Sequence, residues 1–448
     1  MKKAYDSGGP YKSITDNDTK SQKEFSGIRA LTDKIADKKL KDLKSEGVLI
    51  FPLDSAKEPS SSGKQRILRS DGSDYLSGNI MGFLGLENER LVITSRFAGN
   101  DSDAFLNYLL TKGSAKGLDL PTDASQEERV LNLPLFLFPD YLRRALRKGI
   151  FLTYIRHHYN DSKVRGTIDI ARHIARNIPF IGNVAYSRRE YSDDNYLMEL
   201  VRHTIEFIKR KFGNRILAGV RDEAERVREA TPKYDPCDKM RVVAENARMP
   251  VRHAYYHEYR ELQRLCIWIL KHQDEAWHRL GSGSHRIYGV LFDGAWLWEE
   301  YVAELISELF HHPDNRHRRD AQHLFTEQQN NKQAREIYPD FISKDKERRI
   351  IADAKYKKEL KNSDYQQLLA YMFRFGAKKG YLLYPEKQSK EDVVYRLNRG
   401  STYDSDVSPR EDVTVVNCGL VIPQDVGDYG NFRKEMQANE QAFIKRIT

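Results

Sequence analysis

The sequence predicts a multidomain α+β protein with a β-rich N-terminal module, a helical middle region and a C-terminal α/β domain around a mixed central sheet. Three observations predict it. The 448 residues exceed what one ordinary core organises. Strand-like runs crowd positions from about 40 to 115, whereas apolar residues at helical spacing dominate from about 130 to 280. From 286 onward the two periods alternate, which suits a sheet flanked by helices. The expected boundaries are therefore 1–120, 121–285 and 286–448, with Gly281-Ser282-Gly283-Ser284 as the linker into the last domain.

In the first module the polar, charged opening forty residues form an arm, helical in part or poorly ordered. Strands are predicted at Glu46–Pro52, Gly78–Leu86 and Arg90–Phe97, separated by the flexible loop Pro59–Gly63. The middle region carries a helix from Asn195 to Lys209, capped by Asp193 or Asp194. Leu262, Leu265, Cys266 and Ile269 make one apolar face of another helix. In the last domain a helix spans Leu291–Phe310, with its apolar period through Leu297, Tyr301, Val302, Leu305, Ile306 and Leu309. A second helix begins near Asp364, strands follow at Gly380–Pro385 and Val413–Pro423, and a terminal helix runs through Phe432, Met436, Phe443 and Ile447. No internal repeat is visible.

The chemistry concentrates between 337 and 356. Ile337–Ile342 and Arg349–Tyr356 are strand-like runs joined by the charged turn Ser343–Arg348. A hairpin centred between Lys346 and Glu347 sets Asp340 opposite Asp353, with Cβ atoms about 5 Å apart. Alternation along the strand puts Asp353 and Lys355 on one face and Ala352 and Ala354 on the other. Two carboxylates at that separation can share one Mg²⁺, with Mn²⁺ as the alternative, and the Ala354 carbonyl is a possible further ligand. Such a cation polarises a phosphoryl oxygen and acidifies a bound water, while an ammonium such as that of Lys355 orients the water or offsets charge. Glu299 leans towards the buried edge of its helix, where it either completes the acidic cluster or is an ordinary exposed acid. Gln367 and Tyr371, four residues apart, share a helix face.

Composition narrows the classes. No run approaches bilayer length, the greasiest being Leu131–Phe138, and the opening ten residues lack the apolar core of a secretory signal, so a soluble cytoplasmic protein is expected. The three cysteines, Cys237, Cys266 and Cys418, are too scattered for a disulfide framework or a zinc site. A net charge of +9 favours a polyanionic partner without establishing one. His311–Arg319 has loop composition rather than metal-ligand spacing; with Lys355–Lys361 it is either a DNA-backbone contact or solvated charge.

The Pro339-Asp340 pair followed by Asp353-Ala354-Lys355 resembles the signature of the PD-(D/E)xK nucleases, and the Gln367 to Tyr371 helix resembles that of their RecB-like branch. Four blocks together are similar to McrC, the nuclease subunit of the McrBC modification-dependent restriction systems, including relatives of the LlaJI type. These are Val164–Asp169, Leu297–Val302, the Asp340/Asp353 hairpin through Lys357, and Gln367–Tyr371 followed by Leu382–Pro385. The resemblance spans about 130 to 448 and is loose before that. It implies a restriction-endonuclease-like C-terminal domain, a Mg²⁺-dependent endonuclease acting on double-stranded DNA, and a role in phage defence. It also implies a separate McrB-like AAA+ GTPase hexamer as partner, which the N-terminal and middle regions dock onto and stimulate. GTP would be used by that partner, since this sequence holds no Gly-x-x-x-x-Gly-Lys-Ser/Thr loop and binds no nucleotide itself. Arg165 is a candidate partner contact or a structural turn arginine. The alternatives are a regulatory adaptor that activates an AAA+ GTPase, and a free-standing DNA repair or recombination nuclease.

Overall fold

The computed structural model describes residues 11–46, 48–52, 65–87, 89–99, 104–114, 126–272, 287–315, 320–400, 407–424 and 427–447. The predicted loop at 59–63, the linker at 281–284 and the arginine-rich stretch 316–319 lie outside them, as do the first ten residues. The chain divides into two compact units, one made of Met1–Leu133 with Ser282–Thr448 and the other of Pro134–Gly281.

The N-terminal segment contributes β1 (Tyr11–Thr15), β2 (Thr19–Ser21), a 3-10 turn at Gln22–Ile28, α1 (Arg29–Ile35), α2 (Leu40–Glu46), β3 (Leu49–Phe51), β4 (Leu68–Asp71), β5 (Asp74–Ser77), β6 (Ile80–Leu86), β7 (Glu89–Thr94) and α3 (Ala104–Ser114). The three predicted strands are β3, β6 and β7. The described part of the polar arm packs into the core, with Phe25, Ile28, Leu31 and Ile35 buried against Ile14, Leu84, Leu91 and Ile93. Each such side chain contributes about 1.5–3 kcal/mol by leaving water.

Next come α4 (Gln126–Leu146), within which the unit boundary falls, β8 (Thr153–Asp161), β9 (Thr167–Ile168), α5 (Ile170–Arg176), β10 (Val184–Ser192), α6 (Tyr196–Phe212), α7 (Arg221–Glu229), α8 (Lys239–Arg248) and α9 (His257–His272). The middle region is thus not all helical. A three-stranded sheet of order β8-β10-β9 is formed by the chain between α4 and α6, and β8 alternates half-buried with exposed positions. Its sequence, Thr-Tyr-Ile-Arg-His-His-Tyr-Asn-Asp, puts polar groups on both faces and so hides the period of two. The cap of α6 is also corrected. Asn195, in extended backbone, accepts from the N–H groups of Leu197 and Met198, both at 3.1 Å. Leu262, Leu265, Cys266 and Ile269 are all fully buried, as their spacing predicts.

The chain then returns to the first unit through β11 (Tyr288–Asp293), α10 (Gly294–Leu305), β12 (Phe310–His311), β13 (Gln322–Thr326), β14 (Gln333–Ile337), β15 (Phe341–Ser343), β16 (Ile350–Ala354), α11 (Asn362–Phe375), β17 (Lys379–Glu386), β18 (Val393–Arg399), β19 (Ser408–Val421) and α12 (Tyr429–Ile447). The helix expected from Leu291 starts only at Gly294, because Val290, Leu291 and Phe292 are fully buried in a strand and Asp293 caps the helix through Ala295 and Trp296. That strand pairs with β6 on one side and β3 on the other, in a sheet of order β1-β7-β6-β11-β3. The segments 1–120 and 286–448, read from sequence as separate domains, therefore belong to one unit.

The second sheet of this unit has order β12-β15-β16-β17-β19-β18. It is mixed: β16, β17 and β19 run parallel, while β12, β15 and β18 are antiparallel to their neighbours. Leu368 and Met372 of α11 pack on its Ile351 and Leu382, and Gly376 ends that helix in the left-handed conformation a glycine adopts without steric cost. Among the described residues no helix is long and apolar enough to cross a membrane.

Candidate active site

The site is built on the β15–β16 hairpin. Asp345 Oδ1 accepts from the N–H groups of Glu347 and Arg348 at 2.8 and 3.0 Å, which folds the turn. Ser343 Oγ accepts from Ile350 N at 2.9 Å and closes it. The ladder pairs Phe341 with Ala352 and Ile342 with Ile351, so the next step of the same register sets Asp340 opposite Asp353. Asp340 is partly buried and Asp353 is 1 % exposed. Asp340 Oδ2 accepts from Ala354 N at 2.8 Å, anchoring one carboxylate to the end of β16.

Burying two carboxyls side by side raises both pKa values. Burial first and the Glu299 carboxylate second push Asp340 up to about 7, against the pull of Lys355 and the Ala354 N–H. Burial and Asp340 push Asp353 well above the ordinary carboxylate range. Lys355 is the compensating charge. Burial pulls its pKa down, but Asp353 and Asp340 outweigh that and hold the ammonium above its usual value. Its Nζ forms an ion pair with Asp353 Oδ2 and donates to Gln367 Oε1 at 3.1 Å. Gln367 in turn donates from Nε2 to the Tyr371 hydroxyl at 2.7 Å, and burial together with Asp353 pushes that phenol up to about 12. Five of the residues singled out from sequence, Asp340, Asp353, Lys355, Gln367 and Tyr371, thus converge in one network.

Glu299 stands at the edge of it. His312 Nε2 lies 3.8 Å from Glu299 Oε1, and the Glu299 charge reaches Asp340. However, among the described residues no three acidic, His or Cys side chains gather as a metal cluster. What is visible of the role of Glu299 is the charge felt by Asp340. The basic stretch contributes in an unexpected way. His312 Nδ1 bonds the Asp340 carbonyl at 2.9 Å, and Asn315 Nδ2 donates to the Pro339 carbonyl at 2.9 Å. Both hold the backbone on which Asp340 sits. Neither carried a sequence signal, since their partners lie more than twenty residues away. Lys357, considered as a DNA-backbone contact, is paired with Asp364 at 2.7 Å and ties the loop after β16 to the start of α11.

The donor set fits a hard divalent cation. Asp353 Oδ2 is buried and accepts no well-aligned hydrogen bond, lying against the Lys355 charge and beside the Asp340 carboxyl. An anionic oxygen left in that state is costly unless a cation or proton satisfies it. The groups available are carboxylate and carbonyl oxygens, which suit Mg²⁺ or Mn²⁺ and not a thiophilic metal.

A family model described as McrBC 5-methylcytosine restriction system component matches residues 77–385, well over half of the chain and including every side chain of the network. No curated protein matches. Among solved structures, a chain of the refined half-complex from the tetradecameric assembly of Thermococcus gammatolerans McrB AAA+ hexamers with bound McrC aligns over 96 % of this chain and 99 % of its own, at 13 % identity and TM-score 0.42. A chain of the cryo-EM structure of the Thermococcus gammatolerans McrBC complex aligns over 66 % and 87 %, at 14 % identity and TM-score 0.31. The matched residues run from β5 to β17, and on that extent the chain belongs to the McrBC restriction-system family.

Proposed function

We propose that this chain is the DNA-cutting subunit of a McrBC-type restriction system, a Mg²⁺-dependent endodeoxyribonuclease of the PD-(D/E)xK kind that also stimulates a separate AAA+ GTPase hexamer. One observation carries the reading: the hairpin register brings Asp340, one residue before β15, against the end of β16 beside Asp353, with the Lys355 ammonium on Asp353 and Gln367. Asp340, Asp353 and the Ala354 carbonyl would hold the cation. When bound, it supplies a polarised phosphoryl oxygen and an acidified water. Lys355 orients the attacking water or offsets charge developing on the phosphate. Gln367 and Tyr371 restrict where the ammonium points. Glu299 adds negative charge at the rim, and its connection to His312 adjusts the backbone of Asp340.

The partner half of the proposal rests on the other unit. Ile168, Ile170, Ile174, Ile178, Phe180 and Ile181 are each at least half exposed, and α5 buries no residue. Apolar side chains gathered on one short stretch mark a surface that another protein covers. Arg165 is exposed beside them, in the turn before β9. We assign this face to the AAA+ partner.

Co-purification with that partner, followed by cleavage assays on modified and unmodified plasmid with Mg²⁺ and GTP, tests the whole reading. Cleavage that needs Mg²⁺ and is lost in Asp340→Ala, with GTPase stimulation retained, supports it. Stimulation by wild-type and Asp340→Ala protein alike, with no cleavage by either, would leave only the adaptor function. Full cleavage without a partner or GTP would point to a free-standing nuclease.

A further inference from the structure

Arg96, just past β7, is 5 % exposed and makes four polar contacts on three separate segments. Its N–H donates to Asp16 Oδ1 at 2.6 Å. Its Nη1 donates to Asp16 Oδ2 and to Asn79 Oδ1, both at 2.9 Å. Its Nη2 donates to the main-chain carbonyl of Tyr356, and the guanidinium lies 4.4 Å from the centroid of the Tyr356 ring. Tyr356 is buried as well. Its hydroxyl shares a 2.7 Å hydrogen bond with Ser95 Oγ, and its ring meets Phe97 edge-on at 5.0 Å. Gly294 leaves room for that ring, since a Cβ there would lie 2.7 Å from it.

Tyr356 directly follows Lys355. The Lys355 N–H donates to the Leu383 carbonyl of β17 at 2.8 Å. The backbone is thus pinned before the lysine by the six-stranded sheet and after it by the N-terminal segment. We propose that Arg96, held by Asp16 and Asn79, is a positioning residue for Lys355, so that the N-terminal module sets the aim of the ammonium at the cation site. This rests on the nuclease reading of Lys355. A packing role alone is better served by an apolar side chain, because a buried ion pair is weak support for stability. What the guanidinium adds is a rigid fork that fixes several acceptors at once. A rotation of about 10° in the 355–356 peptide, carried along an extended lysine, moves the ammonium about 1 Å, a displacement that can cost roughly 10²-fold in rate.

The test uses the full chain with its AAA+ partner, Mg²⁺ and GTP on plasmid DNA carrying 5-methylcytosine. Arg96→Lys keeps the charge beside Asp16 and the main-chain N–H to Asp16 Oδ1 but cannot span the three acceptors the guanidinium holds. Tyr356→Leu keeps an apolar filling but loses the ring against the guanidinium, and it reads the same quantity if Arg96→Lys does not fold. In each, kcat for cutting is expected to fall about tenfold or more with KM for DNA within about twofold, while GTPase stimulation per molecule, which counts folded protein, stays at the wild-type value. Unchanged kcat in folded variants overturns the inference, as does a fall in cutting matched by an equal fall in GTPase stimulation. A wild-type complex that never cuts overturns the nuclease reading itself and is recognised before any variant is made.

Discussion

In the six-stranded sheet, charge is inside: Asp353 is buried, Asp340 partly so, and both sit beside an ammonium held by an amide. Around the sheet β8-β10-β9 the reverse holds, with five isoleucines and a phenylalanine between 168 and 181 facing solvent. Each arrangement is unfavourable for an isolated chain. Buried like charges raise one another's pKa, and exposed apolar surface forfeits the hydrophobic gain of folding. On the function proposed above, a bound cation would offset the first cost and a bound partner the second, so the two regions would divide chemistry from assembly. The largest expected effect breaks the first region alone. Asp353→Ala or Lys355→Ala should lower plasmid cleavage about 10³-fold or more while GTPase stimulation stays within twofold of wild type. Cleavage by either purified variant at the wild-type rate contradicts the assignment.

Charge introduced on the apolar face should act the other way. In Ile170→Asp with Phe180→Asp, the concentration of partner needed for half-maximal GTPase stimulation should rise about 30-fold, as expected when about 2 kcal/mol of central contact is lost. Mg²⁺ binding to the variant, followed by calorimetry without partner, should keep its wild-type affinity. An unshifted stimulation curve would remove this face from the interface.

The two regions were unequally legible. The hairpin was readable because a single integer, its register, follows from turn length, and a period of two then places Asp340, Asp353 and Lys355 without further information. Gln367 and Tyr371 were readable for the same local reason, being four apart on one helix. His312 and Asn315 were not, because what matters is the carbonyl each bonds across the fold. Arg96 was hidden likewise, some 260 positions from Tyr356. The β8–β10 sheet escaped because its inward positions, Ile155, His157 and Tyr159 among them, are no more apolar as a set than its outward ones. β11 was absorbed into a helix because a strand buried on both faces is a continuous apolar run, which periodicity alone does not separate from a buried helix.

Acid sharpens the contrast between the regions. Burial and the Glu299 carboxylate push Asp340 up to about 7 in the fold, from 3.8 ordinarily. Between those values the folded chain keeps a proton that the unfolded chain has released, so metal-free stability from this group is greatest in acid and declines as pH rises towards 7. Mg²⁺ needs the ionised carboxylate, so the cation and the proton compete. Cleavage at limiting Mg²⁺ should climb roughly tenfold or more per pH unit below about 7, and added Mg²⁺ should raise the melting temperature more at pH 8 than at pH 6. A flat rate profile from pH 5.5 to 8 would show that the pair carries no shared proton. GTPase stimulation, if carried by the apolar face as proposed, should follow no such curve.

The smallest effects belong to the side chains that only steer the ammonium. Gln367 accepts from Lys355 and donates to Tyr371, so Gln367→Ala leaves the lysine with Asp353 as its main restraint, whereas Tyr371→Phe removes only the acceptor behind Gln367. One neutral hydrogen bond is worth about 0.5–1.5 kcal/mol, a factor of roughly two to ten. Cleavage should therefore fall about three- to tenfold in Gln367→Ala and about two- to threefold in Tyr371→Phe. The double variant should be no worse than Gln367→Ala alone, since both act through the same contact to Lys355. Losses that multiply would mean that Tyr371 reaches DNA or the cation independently. Its place would then be in direct contact with the substrate and not behind the lysine.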